Sequence, residues 1–289
     1  MIQNRYSFRE DFKAFDGKGV PPGLLPEINS VYTHDHVRVD KGVFYITCAG
    51  AKFMCRTPDL KDLRADLSVR FHHCEGRRGF CVIFVYDMDR RKGFALDFSF
   101  GDGKADVLLR RVDRSDRETL SRADYACDMP RGDILVCIAV SQGAVSGEIC
   151  GIGFAFDLPE GYVGGKAGVE LTSSVGELAV NRIAVESGDE MTVEVIAEEK
   201  TAELSLLCGG TMPYTLSYSL KRINGVPYLD YRFDGGEQYR DRYPGHPRHT
   251  GQYSVECHKF TDPYIALYDP ASMKRICGIP LYSGTFMTA

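Results

Sequence analysis

Between Ala65 and Ser99 apolar side chains occupy every second position in three successive runs. In the first, Leu67, Val69 and Phe71 alternate with Asp66, Ser68, Arg70 and His72, the period-two pattern of a half-buried strand. In the second, Phe80, Val82, Phe84 and Tyr86 share one face, and Cys81, Ile83 and Val85 the other. In the third, Phe94, Leu96 and Phe98 oppose Asp97 and Ser99. The pattern predicts a sheet with a packed back and a polar front. Asp66, Arg70, His72 and Asp97 form that polar stripe and are the candidate substrate-binding residues. The same four side chains equally fit the solvated face of an antiparallel sheet.

Strand signals of this kind recur along the whole chain, separated by Gly, Asp and Asn, and helical periodicity is almost absent. An all-β protein is expected. Hairpin turns are predicted at Val39 to Val43, Glu75 to Gly79, Gly101 to Lys104 and Ser141 to Ala144, each between runs rich in Val, Ile and Phe. The polar stretch Glu186 to Glu190 reads as a connector, which divides the chain into residues 1–188 and 189–289. The second part opens with MTVEVIA and continues through ELSLLCGG, YTLSYSLKRI, PYLDYRF, YSVECHKF, YIALYD and RICGIPLY. Seven short strands with aromatic alternation predict a second, smaller β-sandwich.

Composition narrows the function classes. The chain of 289 residues is 44% hydrophobic and 26% charged, ordinary for a globular protein, and no apolar run approaches the roughly 18 residues of a membrane span. No membrane partner is expected. A net charge of -5 argues against nucleic acid, whose affinity comes from clustered Lys and Arg. The ten cysteines form no C-x-x-C pair and lie mostly inside apolar strands, as free thiols do in a reducing compartment. With a polar N-terminus lacking a signal-like apolar core, this points to the cytoplasm. The ending PLYSGTFMTA leaves room for a longer parent chain.

The order of segments in residues 5–188 resembles the concanavalin A-like, laminin G-like jelly roll. The resemblance rests on FREDF, HVRVDKGVFYIT, DLRADLSVRFHH followed by RRGFCVIFVYD, KGFALDFSFGDGKADVLLRR, GDILVCIAVSQGAVSGEI and GKAGVELTSSVGELAVNRIAVES. It implies a carbohydrate ligand on the concave sheet, in a fold that hosts lectins, adhesion modules and glycan hydrolases alike. The chain departs from the laminarinase-like glucanases in lacking E-x-D-x-x-E. It also has no Trp for stacking sugar rings, although 16 Tyr remain.

The densest set of reactive side chains runs from Tyr228 to Phe260. Asp230 and Arg232 share a strand face before the long loop Gly235 to Gly251, and Glu256 and His258 share one after it. Set against each other, these four are the candidate catalytic group, with His258 as acid or base and Glu256 orienting it. Cross-strand ion pairing explains them too. His246 and His249 are separated by Pro247 and cannot share a helical face as a metalloprotease pair does. His72 and His73 point to opposite faces of a strand. His34 and His36 share one, but a turn-flanked strand start explains them as well. No metal and no cofactor is expected.

Two β-sandwich domains are therefore predicted, the first concanavalin A-like, in a carbohydrate-binding or ancillary protein of a glycoside-processing system. The alternatives are a glycoside hydrolase or 3-keto-glycoside-processing enzyme with its own acid/base site, and a structural subunit that builds a homo-oligomer.

Overall fold

The computed structural model describes residues 2–13, 15–21, 23–28, 33, 35–72, 76–88, 90–128, 130–173, 176–207, 211–224, 226–234, 248–254, 264–268 and 275–280. Beyond residue 195 it describes the side chains of Ile223 and Asn224 alone. The chain divides into two compact units. The first comprises Arg5–Glu27 and His36–Glu190, the second Met1–Asn4, Ile28–Asp35 and Met191–Ala289. The polar stretch Glu186 to Glu190 is not a loop. It lies inside a strand that runs without a break from Glu177 to Leu207.

In chain order the strands that build the first unit are β1 (Ile2–Glu10), β2 (Gly17–Lys18), β3 (Leu24–Pro26), β4 (Val37–Asp40), β5 (Val43–Ile46), β6 (Lys52–Cys55), β7 (Leu63–His72) and β8 (Arg78–Asp87). They continue with β9 (Lys92–Gly101), β10 (Lys104–Asp113), β11 (Asp116–Ala126), β12 (Ile134–Ser141), β13 (Ala144–Ile149), β14 (Ile152–Asp157), β15 (Lys166–Leu171) and the first part of β16 (Glu177–Leu207). One sheet runs β14-β13-β12-β7-β16 with β5, β4, β2 and β1 attached, and the other runs β11-β10-β9-β8-β15-β6-β3. The chain passes from β5 to β6, to β7 and to β8 by changing sheets each time. This repeated crossing makes the unit a jelly-roll β-sandwich, and the protein is all-β, as its alternation predicts.

Two-residue turns join several neighbours. Asp102 and Gly103 both take the left-handed conformation, with φ of 53° and 70°, between the paired Gly101 and Lys104. That is the type I′ turn, whose twist matches its strands and which an X-Gly dipeptide supplies. Lys41-Gly42, Gln142-Gly143 and Cys150-Gly151 repeat it. The segment Glu75 to Gly79 does not close a hairpin, because β7 and β8 lie in different sheets. Loop chemistry alone does not distinguish a hairpin from a crossover.

The inner faces meet through aromatic rings. Phe71 of β7 packs edge-on against Phe80 of β8 at 5.9 Å, Phe44 against Phe53 at 5.2 Å, and Phe98 lies 5.7 Å from Phe154. Around them Leu67, Val69, Val82, Phe84, Leu96, Val136 and Ile138 are buried. Each fully buried ring or branched side chain contributes about 1.5–3 kcal/mol of transfer free energy, so this interior is the main stabilising layer.

Part of the outer face of the β8 sheet is buried as well. Leu25, Met54, Cys81, Ile83, Tyr86, Ala95 and Val112 form a second apolar cluster there, with Met88 packed on it. Tyr86 does not share a face with Phe84, contrary to its spacing. Val85 takes a φ of 51° and the register slips between Phe84 and Asp87, a bulge that turns Tyr86 to the outer side. The sheet also curls toward this side. Lys52 Nζ of β6 donates to the carbonyl of Arg114, in the turn after β10, at 3.4 Å. In the sheet order β6 and β10 are four positions apart, about 19 Å if flat, beyond the reach of a lysine.

In the second unit the later part of β16 pairs with β17 (Thr211–Ile223), which pairs with β18 (Val226–Asp234) and then β19 (Arg248–Ser254) in an antiparallel meander. A separate pair is formed by β20 (Tyr264–Tyr268) and β21 (Arg275–Pro280). MTVEVIA and the start of ELSLLCGG, read as two strands, are parts of the single β16.

Candidate functional site

The curled outer face of the β8 sheet carries charged side chains where an apolar layer is expected. Alternation puts Lys52 of β6, Glu170 of β15 and Asp97 of β9 on this side, beside Cys81. Their neighbours inward are core residues, so the polar groups must find partners within the face. They do so in two linked clusters.

The first is centred on Glu27, just after β3. Its carboxylate accepts from Lys52 Nζ at 2.7 Å, from Arg91 Nε at 3.1 Å and from the Tyr86 hydroxyl. Burial pushes the Glu27 carboxyl up, but the bonds from Lys52 and Tyr86 outweigh it and hold it below its ordinary value. The Tyr86 phenol is raised by burial and by the adjacent carboxylate, so it stays protonated and donates.

The second is centred on Arg117 of β11. Its guanidinium donates to Asp97 Oδ1 at 3.0 Å and to Glu170 Oε2, and lies 3.8 Å from Cys81 Sγ. Burial raises Glu170 above its ordinary value in spite of Arg117. Burial next to Glu170 and Asp97 pushes the Cys81 thiol far up, so it is a neutral thiol and no nucleophile. On the other side of Asp97, Arg110 Nε sits 2.5 Å from Oδ2 without hydrogen-bond alignment. Further along the face, Asp106 is held between Arg77 and Arg122, with Arg122 at 2.8 Å.

Of the four residues in the predicted polar stripe, only Asp97 belongs here. Asp66, Arg70 and His72 lie on β7, on the outer face of the other sheet, so the structure does not bring the four together. Arg64 Nε pairs with Asp66 at 3.0 Å and Arg70 with Asp133 at 2.7 Å, both largely exposed. Asn181 Nδ2 donates to the same Asp133 at 3.1 Å. His72 meets the ring of Tyr45 edge-on at 5.8 Å, and Arg38 stacks 4.4 Å above that ring. Lys52 and Glu170 escaped the sequence reading although a signal existed. Each is a long charged side chain inside an otherwise apolar run, AKFMC and KAGVEL.

In the second unit, Asp230 and Arg232 occupy alternate positions of β18, across from Gln252 and Thr250 of β19 and from Ser219 and Ser217 of β17. Their expected partners Glu256 and His258 lie outside the described residues, as do His34, His73 and most of the loop Gly235 to Gly251. Among the described residues no group of three or more His, Cys, Asp or Glu side chains is arranged to hold a metal ion. No helix among them is long and apolar enough to cross a membrane.

No protein-family model matches the sequence, and no curated protein sequence matches it. Solved structures similar to the chain include the CBM2 module of the evolved Dit of Lactobacillus casei BL23 phage J-1, at 12% identity over 63% of this chain and 96% of that one, TM-score 0.43. A carbohydrate-binding module of Bacillus subtilis superposes at 9% identity over 58% of this chain and 93% of its own, TM-score 0.41. The catalytic domain of an endo-1,3-beta-glucanase (laminarinase) of Thermotoga petrophila does so at 9% identity over 64% and 99%, TM-score 0.45.

Proposed function

We propose that the first unit binds a carbohydrate on the curled outer face of the β8 sheet. The observation that carries this reading is the part-exposed guanidinium of Arg110 beside Asp97. Its buried Nε is ion-paired with Asp97 without a hydrogen bond, and the side chain is part-exposed on a face whose other guanidinium groups donate to carboxylates. A planar guanidinium presents a fork of N–H donors. Next to the carboxylate acceptors of Asp97 it can bridge the neighbouring hydroxyls of a sugar ring. Glu27 and Glu170 are almost fully buried against their cations, and Asp97, held by Arg110 and Arg117, is the carboxylate left to accept from a hydroxyl.

The test is an array of immobilised glycans probed with the full chain, followed by calorimetric titration of any hit against wild type and Asp97→Asn. Binding that is weakened at Asp97 supports the reading, and the absence of binding across the array overturns it.

A second reading, glycoside cleavage at the same face, is favoured by one relationship. Asp97 and Glu170 are two carboxyl groups bridged by a single guanidinium, and burial raises Glu170, a pair of acidic side chains of the kind that glycoside cleavage uses. Release of reducing sugar from a bound glycan, lost in Glu170→Gln, would favour it over simple binding.

A further inference from the structure

The charge balance of this face differs in sign from that of the chain. Glu27 is held between Lys52 and Arg91, Asp97 between Arg110 and Arg117, and Asp106 between Arg77 and Arg122. Glu170 shares Arg117. That makes six cations against four carboxylates. Asp124, exposed and across from Asp106 in the register of β10 and β11, brings the count to six against five, an excess of one positive charge. The whole chain carries -5, so the remainder carries -6.

A carboxylate set between two cations is more than neutralised. Its second cation keeps part of its field for a third party, in a curled face where charges are screened less than in open water. The cations with exposed edges are guanidinium groups. Arg77 and Arg122 have more than half of their side-chain surface in solvent, and Arg110 is part-exposed beside Asp97. Guanidinium forks bind planar oxyanions in two parallel hydrogen bonds, an arrangement a neutral hydroxyl cannot match.

From this we propose that the saccharide taken by this face is acidic, an oligosaccharide bearing uronate carboxylates, and that Arg110 and Arg122 receive its carboxylates. The proposal rests on the carbohydrate reading above and deepens it. Ring hydroxyls meet Asp97 and the paired groups around it, while the carboxylates of the chain lie along the line from Arg110 to Arg122. Neighbouring anions of one oligosaccharide would then be read by separate guanidinium groups, which gives preference by charge as well as by shape.

The experiment is calorimetric titration of the full chain with tetragalacturonate and tetraguluronate, beside the neutral cellotetraose and xylotetraose, at about 0.02 M and about 0.3 M salt. We expect a uronate to bind at least about tenfold more tightly than any neutral tetramer, with affinity falling as salt rises. Arg110→Ala and Arg122→Ala should each weaken that binding about tenfold or more. Arg122 is mostly solvent-exposed, so its variant keeps the test intact if Arg110→Ala folds poorly. Neutral tetramers bound as tightly as uronates would overturn the acidic ligand and leave the carbohydrate reading standing. If the array and both tetramer sets give no binding, the carbohydrate reading falls and this inference with it. A single-stranded DNA oligonucleotide of equal charge bound as tightly as the uronate would overturn the proposal in favour of an unselective anion patch.

Discussion

Lys52 and Arg114 meet across the width of a sheet: the ammonium of the one donates to the backbone carbonyl of the other at 3.4 Å. This contact joins β6 to the turn after β10 and closes one end of the curled face. The same ammonium pairs with Glu27 at 2.7 Å, and both side chains are almost fully buried. Curvature and charge pairing thus meet at one residue.

Lys52→Met should therefore destabilise the first unit by about 3 kcal/mol, the low end of the range for breaking a buried ion pair, because Arg91 and Tyr86 still hold Glu27. Combining it with Glu27→Gln should cost less than the sum of the two single changes by 1 kcal/mol or more, on the order of the coupling found between contacting residues. Urea unfolding of the four proteins measures this, and strict additivity would contradict the pairing.

Acid should act on the two carboxylates in opposite senses. Glu27 titrates below its ordinary value in the folded chain, so its contribution is present above about pH 4.3, the unfolded value, and is lost as pH falls through the folded one. Glu170 titrates above its ordinary value, so its contribution is present below about pH 4.3 and is lost as pH rises through the folded value. Melting temperature against pH should flatten on the acid side in Glu27→Gln. In Glu170→Gln the decline with rising pH should shrink.

Gly165 admits β15 against the bulge in β8. A Cβ there would stand 2.4 Å from the backbone of Val85 and Tyr86, and backbone cannot yield as a flexible side chain does. Gly165→Ala should cost about 1–3 kcal/mol or more through overpacking, read by thermal melting, and should loosen the contact of Tyr86 with Glu27. A variant as stable as wild type would contradict the close approach.

Arg70→Ala should leave stability within about 0.5 kcal/mol, because its pair with Asp133 is exposed and screened. Saccharide binding should also be unchanged, since Arg70 lies on the outer face of the β7 sheet, away from Asp97. Weakened binding in this variant, with Arg110→Ala silent, would move the binding face to β7.

Thiol reactivity should follow burial. Cys48, Cys55, Cys81, Cys127, Cys137 and Cys150 are free. Burial raises the thiols of Cys150, Cys55 and Cys81 alike, but Cys150 is exposed to reagent whereas Cys55 and Cys81 are fully buried. Alkylation of the native protein followed by peptide mass mapping should label Cys150 early, and Cys55 and Cys81 only on unfolding. Early labelling of Cys81 would contradict its burial.

The alternation of apolar and polar positions was enough to predict an all-β chain, the inward set of Leu67, Val69, Phe80, Val82, Phe84 and Leu96, and turns such as Asp102-Gly103. These are local properties: side chains alternate across a strand, and an X-Gly dipeptide accepts left-handed backbone wherever it stands. Which strands share a sheet is not local. Asp66 and Asp97 carry the same signal, yet β7 and β9 belong to different sheets, so the predicted stripe is divided between two outer faces. A single bulge at Val85 reverses the side on which Tyr86 lies, and no residue type announces it. Lys52 and Glu170 were legible as anomalies, charges within apolar runs. Lys52 meets Glu27 across the neighbouring pair β3 and β6, whereas the meeting of Glu170 with Arg117 was decided by the curl of the sheet, which brings together side chains four strands apart. The sequence determined the strands around the first core and, outside the bulge at Val85, their two faces. Tertiary structure alone decided which faces are joined, because hydrogen-bonded order and curvature belong to the sheet and not to any one strand.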